Sequence, residues 1–333
     1  GQYDAVSAIA DSLGCKVATL NADGTGSLAE EAKPMPVSYA TVDRADDDLA
    51  ALLYTSGTTG RSKGAMLTHR NIVSNAIALA RLWQFTKEDR LLHALPIFHT
   101  HGLFVATNVT LVAGGSMYFL PSFSIDTIVD LLPHATAMMG VPTFYTRLLK
   151  DARLDGRLTK DVRVFISGSA PLLAATHDEF FGRTGHRILE RYGMTETNMI
   201  CSNPYDGERR AGTVGFPLPD VEVRISDPET GVPIAPGEIG SIEVKGPNVF
   251  SGYWNMPEKT AAEFRADGFF ITGDLGKLDA KGYVHIIGRS KDLIISGGYN
   301  IYPKEIEQFL DDQNGVIESA VVGVPHPDFG ETV

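Results

Sequence analysis

From Leu49 to about Gly193, short apolar runs alternate with stretches whose apolar residues recur at helical spacing. Leu49–Tyr54 is an apolar run, and Asn71–Phe85 carries Ile72, Val73, Ala76, Leu79, Ala80 and Trp83 on one helical face. Leu91–Leu95 and Ser116–Leu120 read as strands. A helix is predicted over Ser124–Leu132 with Ser124 able to cap it. Ala135–Val141 is apolar and ends at Pro142, and Thr143–Asp151 reads as helix. Val162–Ser167 reads as strand, Leu172–Arg183 as helix and Ile188–Tyr192 as strand. Such alternation predicts an α/β fold with a doubly wound, mostly parallel sheet.

The pattern changes after Asn203. Between Gly212 and Gly282, short alternating runs such as Val221–Ile225 and Ser241–Lys245 are separated by Gly/Pro turns, predicting a small antiparallel β unit. Beyond Gly288 the chain predicts a strand (Asp292–Ser296), a Gly297-Gly298 turn, a helix with Pro303 in its first turn and a β run at Ile317–Val324. The expected organisation is an α/β part over residues 1–203, a β subdomain over 204–288, a hinge at 289–291 and the start of a small α+β domain over 292–333.

Composition narrows the class of protein. A chain of 333 residues with 43% hydrophobic content can bury a large core, and 34 glycines with 18 prolines suit a turn-rich α/β protein. A net charge of −12 argues against nucleic acid and anionic membrane as partners. Two cysteines, Cys15 and Cys201, make neither a disulfide framework nor a zinc site, so a reduced, cytoplasmic setting is the default expectation. The most apolar stretch, Gly102–Leu120, is interrupted by polar residues and by Gly114-Gly115, so it predicts buried helix, turn and strand.

The candidate chemistry begins at Thr55–Gly64, which reads T-S-G-T-T-G-R-S-K-G. On composition alone such a loop is a mobile surface turn. Its glycines, hydroxyls and Lys63 also suit a cradle for a polyphosphate. It is not a Walker-type loop, because Gly57 and Gly60 are too close and Lys63 is followed by Gly64 instead of a hydroxyl residue. Three further segments follow in order: Tyr192–Thr197 (Y-G-M-T-E-T), Thr272–Leu275 (T-G-D-L) and Gly288–Asp292 (G-R-S-K-D).

Together these four segments resemble the motifs of the adenylate-forming superfamily of acyl-CoA synthetases, luciferases and peptide-synthetase adenylation domains. The resemblance implies a carboxylate activated by ATP as an acyl-adenylate, then transferred to coenzyme A, with Mg²⁺ present. Thr55, Ser56, Gly57, Thr58, Thr59, Gly60 and Lys63 would grip the β- and γ-phosphates. Tyr192 would lie against the adenine, Thr195 would bond the α-phosphate and Glu196 would hold the Mg²⁺. Asp274 and Arg289 would hold the ribose, and Lys291 matches the interdomain hinge. His99 aligns with an aromatic position bordering the acyl pocket and the coenzyme A entrance. His99 and His101 stand two apart, but no Cys, Asp or Glu nearby completes a metal site.

Arg191 is the residue that bears on the acid. A guanidinium facing the acyl site could pair with a second carboxylate, and the segments Leu189–Glu196 and Pro96–Gly102 resemble the branch of the family that loads malonate or methylmalonate onto coenzyme A. The plain alternative is a salt bridge from Arg191 to Glu190 or Glu222, and Arg147 is a second candidate for the pocket. Ser167 and Gly168 are placed with Arg191 and His99 on the substrate side. Other expectations stay open: a synthetase for another small or aryl acid, or a nucleotide-binding fragment without turnover. Compared with the family, the chain starts partway into the large domain and stops just inside the small one. The family's late catalytic lysine would then lie outside it, and missing parts of its own polypeptide would be its partners. Alone, the chain would bind ATP but form adenylate poorly.

Overall fold

The computed structural model describes residues 2–21, 23–55, 62–311, 313, 315–316 and 319–333. Ser56, Gly57, Thr58, Thr59 and Gly60 of the predicted phosphate loop lie outside the described residues. The chain forms two compact units, one ending at Arg44 and one beginning at Ala45. The first carries the helices Gln2–Leu13 and Ser27–Ala32, the second of them tied at its start by Thr19 and Ser27, whose backbone amides and hydroxyls bond each other.

The second unit contains the strands, here numbered in chain order: β1 (Leu49–Thr55), β2 (Lys63–Thr68), β3 (Arg90–His93), β4 (Ser116–Phe119), β5 (Ala137–Gly140), β6 (Val164–Ser167), β7 (Leu189–Met194), β8 (Asn198–Ser202) and β9 (Phe216–Pro217). They continue with β10 (Glu222–Ser226), β11 (Gly240–Lys245), β12 (Phe270–Leu278), β13 (Val284–Arg289), β14 (Ile294–Ser296), β15 (Tyr299–Ile301), β16 (Val324–His326) and β17 (Gly330–Thr332). Among the described residues the main sheet runs β4-β3-β5-β6-β7-β8-β9. Pairing is parallel from β4 through β7 and antiparallel for β8 and β9.

Every residue of β5 and β6 is buried, as strands covered on both faces must be, which is why both read as mainly apolar runs, with Ser167 closing β6. Strand order reverses between β3 and β5. With right-handed crossovers, that reversal puts the connections before and after it on opposite faces of the sheet. It also opens a crevice at the carboxyl ends of the strands. The helix His69–Leu82 starts at a reciprocal cap, Thr68 accepting from the Asn71 amide and the Asn71 side chain accepting from the Thr68 amide. Ser124 occupies the cap position of Ile125–Leu131, but its hydroxyl makes no capping bond.

Three differences from the sequence expectations concern placement. The run at Leu49 is not part of the parallel sheet: β1 pairs antiparallel with β2, a strand hidden in the sequence by its short length and by the helical pattern that follows at once. The predicted helix within Gly102–Leu120 is a π-helical turn, His101–Thr107, continued by Asn108–Val112. The late β run begins only at Val324; Ile317 and Glu318 lie outside the described residues, and the Val321 amide donates to the Glu307 carboxylate at 3.0 Å instead of entering a ladder. The predicted β unit is the sheet β10-β11-β12-β13, and a second antiparallel sheet, β15-β14-β17-β16, follows it.

Candidate active site

The carboxyl ends of β6 and β7 and the facing ends of β12 and β13 border a cleft of about 1020 Å³. Ser167, Gly168, Arg191, Tyr192, Asp274 and Arg289 line it, with Lys291 at its rim in the 3₁₀ turn Ser290–Asp292. A cleft of this size suits a nucleotide or drug-sized guest.

Asp274 and Arg289 are cross-strand partners in the β12–β13 ladder, which brings Arg289 Nε to 2.7 Å from Asp274 Oδ1. The other carboxylate oxygen accepts from the Tyr192 hydroxyl. Burial pushes the Asp274 carboxyl up, opposed by the Arg289 charge, and burial likewise pushes the Tyr192 phenol well above its ordinary range. Tyr192 therefore stays a neutral donor. The aromatic ring from one sheet and the acid from another are locked together by that single bond.

Gly193 follows Tyr192 at a point where the ladder with β8 shifts register, and a Cβ there would lie 1.9 Å from the Asn198 carbonyl. Only glycine permits that approach. The tight connection carries Thr195, half-buried, and Glu196, buried. Asn248 fastens the turn by donating to Thr197 O at 2.8 Å, and the Phe250 amide donates to Glu196 O at 2.8 Å. The Thr100 hydroxyl reaches Asn198 Oδ1 at 2.8 Å, so the His99–His101 loop is tied to the same turn.

Glu196 is linked to the loop lysine through a residue that sequence reasoning missed. The Tyr253 hydroxyl lies 2.9 Å from Glu196 Oε1 and 2.6 Å from Glu263 Oε2, and Lys63 Nζ lies 3.1 Å from that hydroxyl. Lys63 also pairs with Glu263 Oε1 at 3.3 Å. Thr55 ends β1 opposite Lys63, and its hydroxyl is buried with no partner among the described residues. The sequence held no signal for Tyr253 or Glu263, which stand 190 and 200 positions from Lys63.

Arg191 is 3% exposed. Neither predicted salt bridge forms: the Glu190 carboxylate accepts from the Gly212 amide at 3.2 Å, and no described acid pairs with Arg191. Adjacent strand residues face opposite sides of a sheet, which separates Glu190 from Arg191. Among the described residues its hydrogen bond is a long one to Ser169 Oγ at 3.5 Å, and its Nε has no partner there. Burial pushes the guanidinium down to about 9, still cationic at neutral pH. A buried cation with no counter-ion among the described residues is costly, so an anion that reached Arg191 would be held favourably.

Among the described residues no acid makes an ion pair with Arg191, and its neighbouring histidines are neutral or lowered. His101 is buried, its Nδ1 lies 3.3 Å from Ser169 Oγ and its Nε2 is unpartnered. Burial and then the Arg191 charge depress it well below the ordinary histidine range, so it is neutral. His99 is lowered for the same two reasons, and it sits at the exposed edge, its Nδ1 accepting from the His101 amide at 3.1 Å. Ser167 Oγ is a further buried atom without a partner. Arg147 is exposed on the helix Pro142–Leu149 and does not line the cleft. Among the described residues no group of three or more His, Cys, Asp or Glu side chains could hold a metal. A lone buried carboxylate such as Glu196 fits Mg²⁺, which takes one or two carboxylates and completes its shell with phosphate oxygens and water.

Comparison with known proteins agrees with this geometry. The malonate–CoA ligase of Arabidopsis thaliana is 41% identical over 308 residues, covering 86% of this chain and 50% of that protein. ATP-bound MatB from Rhodopseudomonas palustris is 64% identical with a TM-score of 0.97, covering 99% of this chain and 66% of that one. A malonyl-CoA ligase in ternary product complex with methylmalonyl-CoA and AMP is 45% identical with a TM-score of 0.70, covering 86% of this chain and 63% of that one. The chain spans about half the length of the curated relatives it matches. The model for AMP-binding enzymes matches residues 5–254, from the first helix to the Tyr253 that braces Glu196, and with the cleft described above it establishes that the chain belongs to the AMP-binding enzyme family.

Proposed function

We propose that this chain forms the core of an ATP-dependent carboxylate–CoA ligase whose acid is malonate or methylmalonate. One carboxylate oxygen of the acid attacks the α-phosphorus of ATP, the bond to the pyrophosphate oxygen breaks, and an acyl-adenylate results. The thiol of coenzyme A then attacks the acyl carbon and AMP leaves with the electron pair. The observation that carries the choice of acid is Arg191: a buried cation with an unpartnered Nε, at the carboxyl end of the sheet and next in sequence to Tyr192. A monocarboxylic acid would leave that cation unanswered, whereas the distal carboxylate of malonate supplies its counter-charge.

In this reading Tyr192 supports the adenine while Asp274 and Arg289 hold the ribose. Thr195 bonds the α-phosphate, and Lys63 with Thr55 to Gly60 holds the outer phosphates. Mg²⁺ held by Glu196 would neutralise phosphate charge. His99 borders the acyl group at the exposed edge where coenzyme A would arrive, and Ser167 and Gly168 form the floor under Arg191. Hinge motion is placed at Lys291, between the β subdomain and the small domain begun at residue 292. The unpaired thiols of Cys15 and Cys201 support a reduced, cytoplasmic setting. No helix among the described residues is long and apolar enough to cross a membrane.

The test is substrate discrimination in the full-length protein. Arg191→Met should lower kcat/KM for malonate by roughly 100-fold or more, the scale of a lost charge-assisted pair, and leave acetate or butyrate nearly unchanged. An equal loss on all three acids would refute the dicarboxylate assignment.

A further inference from the structure

The contact that joins Lys63 to Glu196 holds more charge than the proposed reaction uses. Two carboxylates, Glu196 and Glu263, converge on one phenol, that of Tyr253, at 2.9 and 2.6 Å. The phenol has one proton to give, and burial followed by the two neighbouring carboxylates pushes it far above its ordinary range, so that proton stays on the oxygen. Both carboxylates share it, Glu263 through the shorter contact. Lys63 donates to the same oxygen from 3.1 Å and packs over the ring, its Nζ 4.3 Å from the centroid. Glu196, 4% exposed, is left with no other hydrogen-bond donor among the described residues.

Glu263 is in the opposite position. Two ammonium groups address the same oxygen, Lys259 at 2.7 Å and Lys63 at 3.3 Å, while its other oxygen accepts from Tyr253. Burial opposes its ionisation, but the bonds from Lys259 and Tyr253 and the charge of Lys63 hold its carboxyl below the ordinary glutamate range. Glu263 is therefore an anion with one cation more than it needs. Lys259 is 42% exposed and lies one helical turn away, so it stays as counter-ion if Lys63 departs.

We propose that Glu263 is a positioning residue that serves as the resting counter-ion of Lys63 and is exchanged for the outer phosphates when ATP binds. This rests on the nucleotide reading above. Lys63 is the weaker of the two pairs, at 3.3 Å against 2.7 Å, and it is the one at the phosphate loop. Holding Lys63 in this way keeps a part-buried lysine from standing without a bonded counter-ion before ATP binds, and it sets a threshold that only a multiply charged phosphate exceeds. AMP, lacking the outer phosphates, has no means to displace Glu263.

Calorimetric titration of the full-length protein with MgATP and, separately, with AMP tests this. Glu263→Gln keeps the acceptor for Tyr253 but removes the competing charge. It should tighten MgATP binding by roughly 3- to 10-fold, the scale of one part-buried ion pair, and leave AMP affinity unchanged. Adding Glu263→Gln to Lys63→Ala should then give no further gain. Tyr253→Phe, which keeps the ring, should weaken MgATP without affecting AMP, because Lys63 and Glu196 lose their shared anchor. Unchanged MgATP affinity in Glu263→Gln, or equal changes for ATP and AMP in both variants, overturns the exchange. If the unsubstituted protein binds neither nucleotide, the failure belongs to the functional reading instead.

Discussion

Gly168 lies directly against the Arg191 guanidinium: a Cβ at position 168 would stand 2.4 Å from Arg191 Cζ and 2.6 Å from its Nε. No real side chain tolerates such a contact. The glycine thus defines where the cation sits, and with it the distance from Arg191 to any acid bound at the carboxyl ends of β6 and β7.

Gly168→Ala should therefore act as a substrate variant more than a stability variant. Arg191 would have to shift, and kcat/KM for malonate should fall about 10- to 100-fold. Acetate turnover should change less than about 3-fold. Steady-state kinetics on both acids checks it; a parallel loss would mean that the whole sheet edge had moved.

Asp274 joins Tyr192 to Arg289. Asp274→Asn keeps an acceptor for the Tyr192 hydroxyl but loses the charge that faces Arg289. AMP affinity should weaken by roughly 10-fold, about 1.4 kcal/mol. Titration with AMP and with inorganic pyrophosphate separates the cases, since pyrophosphate binding should not change.

Glu190 is a buried acid whose carboxyl is pushed up to about 8 by burial, against the bond from the Gly212 amide. His177, 3.8 Å away, is depressed by burial and gives it no charge. The folded protein thus holds a proton at Glu190 that the unfolded chain releases near its ordinary carboxylate range. Between roughly pH 4.5 and 8 the unfolded state binds fewer protons, so this group makes stability fall as pH rises, and the fall levels off above about 8. Glu190→Gln should remove that slope. Thermal melts should show a Tm gain at pH 8 that is absent at pH 4.5; a gain equal at both would contradict the shift.

Asp89 and Arg163 test the packing at the other end of the sheet. Asp89, 3% exposed, accepts from Arg163 Nε at 2.7 Å, from the Thr136 hydroxyl at 2.7 Å and from the Thr86 amide at 2.7 Å. Asp89→Ala would leave a guanidinium and two further donors without their acceptor. Chemical denaturation should show a loss of about 3–5 kcal/mol. A loss below about 1 kcal/mol would mean that water replaces the carboxylate freely.

The elements were legible because their signals are local. The mainly apolar β5 and β6, the helical spacing before Trp83 and the Gly/Pro turns after Asn203 each report burial within a few residues, and burial patterns follow from the period of the backbone itself. Thr195, Glu196 and Asp274 were singled out for another reason, since they stand in short segments whose order resembles a known family. The antiparallel pairing of β1 with β2 was not legible: a six-residue strand starting Lys-Gly gives no alternation strong enough to separate it from the helix it precedes.

By itself, then, the sequence determined most of the strands and helices of the α/β part, that its sheet is mainly parallel, and which short segments are candidates for the chemistry. Only the tertiary structure decided that Arg191 has no acid partner among the described residues, that Gly168 lies against its guanidinium, and that Tyr253 and Glu263 tie Lys63 to Glu196. Periodicity is a property of neighbours along the chain. A missing counter-ion or a contact across 190 positions exists only once sheets with their own twist and register have packed, and no local pattern encodes that outcome.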